Sequence, residues 1–336
     1  MQMNKIRFLI LISVTLLLFV SNIIFGAIDI PLSDILTVLT GGENSNRSVE
    51  FIVLGSRLPQ AITALLAGSS LAVAGLLLQT AFRNPLAGPT ILGVSSGASL
   101  GVALVMLLFG GSMTFGSSVF GGYMAIVVGA LAGSFLVMGL LIALSTIIRN
   151  DLMLLITGIM VGYLTSSVVT LLSSLSDAQG VRSFVMWGMG TFGDVSLDQL
   201  PFFSVACLIG LFLSLFLSKP LNLLLLGENY ALNLGVNVKM VRNLLLISTG
   251  LLTAVVTAFC GPIGFIGISV PHIARLFLKT DDHLKLIPAT MLTGGILALL
   301  CNVVSVLPED MVLPINALTP IAGVPVILYV IMKRKG

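Results

Sequence analysis

Apolar blocks of about 20 residues recur along the whole chain, and this repetition restricts the fold more than any other feature. A helix rises about 1.5 Å per residue, so a block of this length spans the hydrocarbon core of a bilayer. Of the 336 residues, 57% are apolar and 9% are charged, whereas about a quarter of an ordinary soluble domain is charged. We therefore predict an all-α polytopic membrane protein, a single transmembrane domain over residues 1–336. Its expected spans, about ten in number, are 6–27, 60–82, 91–109, 121–148, 152–173, 200–218, 241–260, 263–279, 286–306 and 315–332.

The distribution of Lys and Arg over the loops predicts the orientation. With the N-terminus placed in the cytoplasm, only Arg47, Arg57 and Arg182 of the 16 basic residues fall on the outer side. An excess of basic residues in cytoplasmic loops sets the orientation of polytopic proteins. We expect both termini in the cytoplasm and an uncleaved first span. The basic residues form no patch, so no nucleic-acid partner is expected.

Two neighbouring segments near residue 90 interrupt the apolar pattern. RNPLAGPT (83–90) predicts a cytoplasmic reversal between two spans, because proline cannot continue a helix and glycine permits a tight turn. In GVSSGASLG (93–101) a glycine recurs every four residues, which would let another helix backbone approach closely. Helix packing is the simpler interpretation of these glycines. Ser95 and Ser99 lie between them and could hydrogen-bond across an interface or line a wet passage.

Two connecting segments also carry information. The cytoplasmic connection 219–242 has short apolar runs broken by Gly227 and Gly235, which predicts two short helices with Glu228 at the turn between them. Their exposed apolar faces need a cytoplasmic partner or the membrane surface. The outer segment 174–201 contains Trp187 and predicts a short interfacial helix at the mouth of a passage, with membrane anchoring by the Trp as an equal alternative.

Six stretches of the chain, taken in order, give it a resemblance to a known family. They are RLP (57–59), GLLLQTAFRNPLAGPTILGVSSGASLG (75–101), WGMG (187–190), LGENYALNLGV (226–236), GPIGFIGISVPHIARLFLKTDDH (261–283) and the closing LP…AGVP pattern (313–325). The chain resembles the FecCD-type permeases, the membrane subunits of bacterial ABC importers for iron chelates, haem and cobalamin. The resemblance implies the type II ABC importer permease fold with ten spans. It also implies a homodimer whose passage lies on the two-fold axis.

The resemblance further implies that partner chains supply the energy for import. Two ATP-binding cassette subunits would bind the helix pair at about 220–240 and move it during the transport cycle. The positions that match the family's coupling segment are Gly227, Glu228, Ala231, Leu234 and Gly235. The chain contains no G-x-x-x-x-G-K-[ST] stretch, so it cannot hydrolyse ATP by the P-loop route and is not expected to be an enzyme.

Docking, gate and passage residues are expected at other positions. The resemblance implies that an external substrate-binding protein docks at Arg57, which matches the first of three docking arginines in a cobalamin-importing member of the family, whereas Gln60 and Val306 stand at the other two positions. It implies an inner gate near Ser145, Thr146 and Arg149. Small, weakly polar side chains suit a wide passage for a large chelate, and the candidates are Ser95, Ser99, Ser166, Ser167 and Thr170. Membrane lipid is the remaining expected partner.

Neither histidine predicts a metal or cofactor site. His272 matches the family's PHIAR motif, and its place beside Pro271 favours a structural role over that of a haem or iron ligand. His283 lies in a charged cytoplasmic loop and is expected to be solvated. The three cysteines are scattered without C-x-x-C spacing, which favours buried apolar positions. No cofactor and no metal ion are expected.

The sequence leaves the cargo and one competing function open. A ferric siderophore is favoured, with haem and cobalamin as alternatives. A secondary transporter without an ATPase partner is the main competing function, but such carriers use intramembrane carboxylates, which the predicted spans lack. An intramembrane enzyme is disfavoured, because no pair of His, Asp or Glu falls at i, i+4 within a span.

Overall fold

Helices form nearly all of the regular structure, as the apolar blocks predict. A computed structural model of the chain describes residues 2–41, 47–110, 112–115, 118–148, 150–307 and 311–334. In chain order the α-helices are α1 (Gln2–Ile24), α2 (Leu32–Leu39), α3 (Arg47–Glu50), α4 (Leu58–Ala81), α5 (Val94–Ala103), α6 (Tyr123–Ile147), α7 (Asp151–Leu175), α8 (Ala178–Gly188), α9 (Leu200–Phe216), α10 (Ser218–Leu225), α11 (Glu228–Asn233), α12 (Val238–Cys260), α13 (Ile266–Leu278), α14 (His283–Val306) and α15 (Ile315–Arg334).

Each of the ten predicted spans coincides with one helical segment. Within the described residues, the helices that are long and apolar enough to cross a membrane are Asn4–Ile24, Arg47–Ala81, Tyr123–Ile147, Leu152–Leu175, Val238–Cys260 and His283–Val306. A further candidate is the pair α9 and α10, which is bent by 47°. Shorter apolar helices complete the set, at Val94–Leu108, Ile266–Leu278 and Ile315–Val330. The predicted all-α polytopic fold is confirmed.

Two features depart from regular α-helix. Residues Phe51–Arg57 and Leu104–Leu108 are π-helical, immediately before α4 and immediately after α5. The connection to α6 then contains the strands β1 (Ser112–Phe115) and β2 (Ser118–Gly121), which pair in antiparallel fashion. The hairpin was not predicted, because strands of four residues give too short an alternation to be distinguished from a loop.

α4 lies at the centre of the bundle, and most of its side chains are buried. It packs against α9, α12, α13 and α14. Two of these contacts require glycine: a Cβ on Gly75 would overlap the Gly267 carbonyl of α13, and a Cβ on Gly68 would overlap the Gly294 carbonyl of α14. Helices in a membrane associate through close packing, which small residues permit. These contacts therefore fix α4 against its neighbours.

The RNPLAGPT segment forms the predicted reversal between α4 and α5. Arg83 adopts a left-handed conformation (φ 46°), and a 3-10 turn over Pro89–Leu92 leads to Gly93 (φ 77°). His272 of α13 holds the reversal, because its Nε2 lies 2.8 Å from the Pro85 carbonyl oxygen. This contact supports the structural role expected for His272.

The bundle has two ends, which we name after the short helices that lie there. The α10–α11 end contains Arg83 and the N-termini of α12 and α14. Arg7 of α1 lies at the same end and donates from Nη1 to the Leu278 carbonyl at 2.7 Å. The α8 end contains Gln60, the first turns of α6 and α15, and the last turn of α14.

Candidate functional site

α7 presents a long exposed face that carries hydroxyl groups. Ser166, Ser167 and Thr170 are exposed, and Ser174 continues the row toward the end of the helix. Ser167 Oγ donates to the Tyr163 carbonyl at 2.9 Å, and Thr170 Oγ1 donates to the Ser166 carbonyl at 3.0 Å. These two hydroxyls satisfy their donors inside the helix and keep acceptor capacity on the exposed face. The face can therefore border water or another copy of the chain with the donors of Ser167 and Thr170 satisfied.

Glycines of α5 pack against the two helices that follow it. A Cβ on Gly97 would lie 2.5 Å from the Gly133 carbonyl oxygen of α6. A Cβ on Gly93 would lie 2.9 Å from the Gly158 carbonyl oxygen of α7. The glycines thus serve helix packing, the simpler of the two interpretations, and one of them fixes how closely α7 approaches α5.

Ser95 and Ser99 belong to the bundle interior and do not join the hydroxyl row of α7. Ser95 is buried, with its Oγ 3.3 Å from Thr257 Oγ1 of α12. Ser99 is half-buried and donates to the Ser95 carbonyl at 3.1 Å. In one chain the structure therefore separates these two passage candidates from those on α7.

The turn expected to hold the inner gate joins α6 to α7. Ser145 is buried, donates to the backbone three residues earlier at 2.7 Å, and lies 3.5 Å from Asn243 Oδ1 of α12. Thr146 is exposed and also donates three residues back, at 2.7 Å. Arg149 lies outside the described residues. Asn150 caps α7 by accepting two backbone N–H groups, so the turn is held from both sides.

A cavity of about 960 Å³ opens at the α8 end. Its lining combines the rings of Tyr123 and Trp187, the exposed Arg182, and the amides of Gln60 and Asn302. Gln60 Nε2 donates to Asn302 Oδ1 at 3.0 Å, so the two amides form one neutral pair. α8 is the short helix predicted for this segment, but Trp187 is buried, which is against the membrane-anchoring alternative.

The guanidinium group of Arg57 binds the end of α1. Its guanidinium donates from Nη1 to the carbonyls of Ile23 at 2.9 Å and Ile24 at 2.6 Å, and from Nη2 to the Ile28 carbonyl. The last carbonyls of a helix have no partner within the helix, and here the arginine supplies one. Only 5% of Arg57 is exposed. In this chain Arg57 therefore stabilises the end of α1, and its docking role stays a prediction.

α10 and α11 are the two short helices predicted near 220–240. Gly227 (φ 116°) separates them and Gly235 (φ 83°) follows the second, in conformations that favour glycine. Ala231 is buried and anchors α11, whereas 54% of Leu234 is exposed. Exposed Leu225 and Leu226 add to the apolar surface of the pair.

A polar groove of about 590 Å³ lies beside α11. Gly227, Glu228 and Tyr230 line it from α11 and the turn before it, and Arg83 lines it from the reversal after α4. Glu228 Oε1 is 3.4 Å from Arg242 Nη2, which ties α11 to the first turns of α12. The family-specific reversal and the expected coupling residues therefore share one surface.

The sequence interpretation missed a polar cluster behind α10. His283 was expected to be solvated, and this prediction is wrong, because only 1% of the residue is exposed. Its ring lies between Thr80 of α4 and Asn222 of α10. The available signal was Asp282, an N-cap residue before an apolar run, which places His283 at the start of α14.

No metal site is apparent in the part of the chain that the structure describes, since no three His, Cys, Asp or Glu side chains there could hold an ion. Cys207, Cys260 and Cys301 are free and buried, as their apolar settings predicted.

The comparisons with known proteins decide the family. A model of the FecCD transport family matches residues 14–333. The chain belongs to this family. It is 32% identical to a protein assigned as an ABC transporter permease from Methanocaldococcus jannaschii, over 98% of both chains. It is 35% identical to the hemin transport system permease of Yersinia pestis, over 87% of this chain and 86% of that protein. It is 36% identical to the vitamin B12 import system permease of Salmonella typhi, over 84% of each.

The fold of this FecCD chain is also that of a solved structure. The match has a TM-score of 0.83 at 32% identity and covers 96% of this chain and 99% of the other. That structure is described as an inward-facing conformation of a protein assigned to the metal-chelate type of ABC transporters. The chain therefore has the type II ABC importer permease fold and is a multi-pass membrane protein related to import permeases.

Proposed function

We propose that the chain is the permease subunit of an ATP-driven importer that carries a metal chelate into the cytoplasm. Two copies form the passage, two ATP-binding cassette subunits drive it, and an external binding protein delivers the cargo. The observation that carries the proposal is the coupling pair: α10 and α11 project exposed leucines at one end of a bundle that belongs to a transport family. The chain itself hydrolyses no ATP and acts only as the moving partner.

The surface around α11 has the features of a docking site for another protein. Exposed apolar side chains such as Leu234 lie beside a polar groove that contains Glu228 and Arg83. An apolar patch with a polar rim is typical of protein interfaces. Gly227 and Gly235 allow the sharp turns that present α11 to the partner. The ATPase therefore contacts both the coupling pair and the reversal after α4.

The orientation follows from the charges gathered at this end. Arg7, Arg83, Lys219, Arg242 and Lys285 all belong to the α10–α11 end, which favours a cytoplasmic location. The α8 end then faces outward, in the inner membrane of a bacterium. The binding protein docks there, with Arg57 acting indirectly by holding the end of α1.

The identity of the cargo is the most specific part of the proposal. Relatives named for hemin and vitamin B12, and a solved neighbour of the metal-chelate type, support a large chelate. A ferric siderophore remains the favoured member of this class. It would cross between two copies of α7, past Ser166, Ser167 and Thr170, where small hydroxyl side chains leave room for a bulky cargo.

The test uses the purified chain in lipid vesicles, with and without its co-expressed ATPase, loaded with ATP on the ATPase side. We expect uptake of a ferric siderophore from the binding protein only when ATPase and ATP are both present. Haemin and cobalamin, tested in parallel, identify the cargo. Uptake by the chain alone would instead establish a secondary transporter and overturn the proposal.

A matched pair of variants tests the coupling surface. Leu234→Asp places a carboxylate in the proposed apolar contact, and we expect at least about a tenfold loss of ATPase binding. Leu36→Asp on α2 is the control, because 53% of Leu36 is exposed, close to the 54% of Leu234. Equal ATPase affinity in the two variants would place the docking surface elsewhere.

A further inference from the structure

Hydrogen bonds among Asn222, Asp282, His283 and Thr80 join α10 to α14 and α4. Asn222 Oδ1 accepts the backbone N–H of His283 at 2.8 Å and lies 2.8 Å from its Nδ1. Asn222 Nδ2 donates to Asp282 Oδ1 at 2.8 Å. On the other side of the ring, His283 Nε2 is 2.8 Å from Thr80 Oγ1.

The partners of Asn222 fix the orientation of its amide and the tautomer of the histidine. Nδ2 must face the Asp282 carboxylate, which can only accept, so Oδ1 faces the two nitrogens of His283. Since Oδ1 is an acceptor, Nδ1 of His283 carries the proton. In the neutral ring Nε2 is then an acceptor, so the Thr80 hydroxyl donates its single proton to Nε2 at 2.8 Å and not to the Leu76 carbonyl at 3.1 Å. Both ends of the Asn222 side chain therefore have partners.

Burial makes this set costly to disturb. His283 is 1% exposed and Thr80 is 6% exposed, so a broken hydrogen bond would leave a buried polar group without a partner. The neighbouring Leu221 is fully buried in the same apolar cluster as Leu286 of α14. The hydrogen bond from Asn222 holds the pKa of Asp282 below its usual value, so this carboxylate stays ionised at neutral pH. α10 is therefore attached to the transmembrane bundle by packing and by a directional polar contact.

We propose that Asn222, Asp282 and His283 form a joint that passes movement of α10 to α14 and, through Thr80, to the central helix α4. The proposal rests on the proposed function, because it is the ATPase that moves the coupling pair. α14 packs along α4 in the bundle core, and the far end of α14 supplies Asn302 to the cavity at the α8 end. α14, attached in this way, connects the coupling surface to the outer cavity. These are positioning residues, since none of them lines the cavity at the α8 end or the groove beside α11.

The joint is tested with a charge exchange. Asn222→Asp keeps the acceptor for His283 but sets a second carboxylate against Asp282, 2.8 Å from the present amide position. Asp282→Asn leaves two amides that can still pair. The double variant Asn222→Asp with Asp282→Asn restores an amide–carboxylate pair in reverse. Asn237→Asp is the matched control, because Asn237 only caps α12 by accepting the Met240 N–H at 3.0 Å, which aspartate also does.

Two measurements distinguish a failure of the proposed joint from a failure of the proposed function. In the permease alone, hydrogen exchange of the backbone of 218–225 should speed up in Asn222→Asp and return to the wild-type rate in the double variant. In the vesicle complex, the cargo imported per ATP hydrolysed should fall about tenfold in Asn222→Asp, a size typical of coupling between sites, and recover in the double variant. A merely structural defect would lower uptake and hydrolysis together and leave this ratio unchanged.

Each outcome has a definite meaning. Wild-type import ratios in Asn222→Asp, or a defect that the double variant does not repair, would overturn the joint. A similar defect in Asn237→Asp would show that added charge at this end is responsible, which also overturns it. If the wild-type complex imports nothing with its ATPase, the proposed function fails, while the exchange measurement still decides whether the polar set holds α10.

Discussion

α1 and α7 are equally exposed and similarly apolar. In the most apolar 18-residue stretch of each helix only 22% of the residues are buried, and the mean hydropathy is 2.3 in α1 and 2.0 in α7. Their exposed faces nevertheless differ. The exposed positions of α1 between Ile6 and Val20 are apolar except for Ser13. The exposed face of α7 mixes apolar residues with Ser166, Ser167 and Thr170. Exposure and hydropathy alone therefore do not tell a lipid-facing helix from one that borders a passage.

The attachment of the two helices differs as well. Polar side chains hold α1: Asn22 Nδ2 donates to the Leu299 carbonyl of α14 at 3.1 Å, and Arg57 occupies its C-terminus. α7 is instead held by close backbone contact, where Gly158 meets the segment around Gly93. Directional hydrogen bonds hold α1 in position, whereas the glycine contact sets how closely α7 approaches the Gly93 segment but leaves no hydrogen bond to break when α7 slides along it. We infer that α1 is a lipid-facing support and that α7 is the helix able to move beside the proposed passage.

The largest expected difference between α1 and α7 is in how well water reaches their exposed faces. Ser167→Cys on α7 should react with a membrane-impermeant maleimide at least about tenfold faster than Ser13→Cys on α1, because only a water-exposed thiol forms the reactive thiolate. The native cysteines are buried and contribute little background. Labelling would be followed by mass spectrometry on membranes. Equal rates for the two variants would place both helices in the same environment.

The sequence predicted which segments are helical far better than it predicted which polar residues matter. Apolar length is a property of the segment itself, so all ten spans could be located from it. The direction of a side chain depends on the packing of distant helices, and for this reason His283 was expected in solvent and the contacts of Arg57 with the end of α1 were not predicted. The hydroxyls of α7 and those of α5 look alike in the sequence. Only the packing of α5 against α12 separates Ser95 from Ser167.

A bulky side chain introduced on the exposed face of α7 or of α1 should give the next largest difference, measured as uptake. Ser167→Trp should lower ATP-driven uptake about tenfold, because an indole ring fills space that a large cargo must cross. Ser13→Trp, the same change on α1, should leave uptake within about twofold, since Trp is readily accommodated beside lipid. Uptake is measured in vesicles that contain the ATPase and the binding protein. A loss confined to Ser13→Trp would reverse the roles of the helices.

The glycine contact that positions α7 offers a smaller, structural effect. Gly93→Ala forces a residue with a Cβ into a left-handed conformation and against the Gly158 carbonyl, which should lower stability by about 2–3 kcal/mol. Gly139→Ala on α6 is the matched control, because nothing lies within 4 Å of its added Cβ. Thermal unfolding in detergent measures both. Gly93→Ala should also change the labelling rate at Ser167→Cys, and an unchanged rate would show that this contact does not position α7.

The smallest effect is expected at the attachment of α1. Asn22→Leu removes the donor to Leu299 and leaves Asn302, whose Nδ2 donates to Asn22 Oδ1 at 2.6 Å, without that acceptor. Hydrogen bonds between helices in membranes contribute little each, so stability should fall by only about 1 kcal/mol. Ser13→Leu is the control, because no hydrogen bond links the exposed Ser13 side chain to another described helix, and it should leave stability unchanged.

Because α1 lies away from the proposed passage, Asn22→Leu should not alter labelling at Ser167→Cys, whereas Gly93→Ala should. A change in that labelling of the same size in both variants would mean that α1 and α7 move as one unit, and the distinction between support and moving helix would fail.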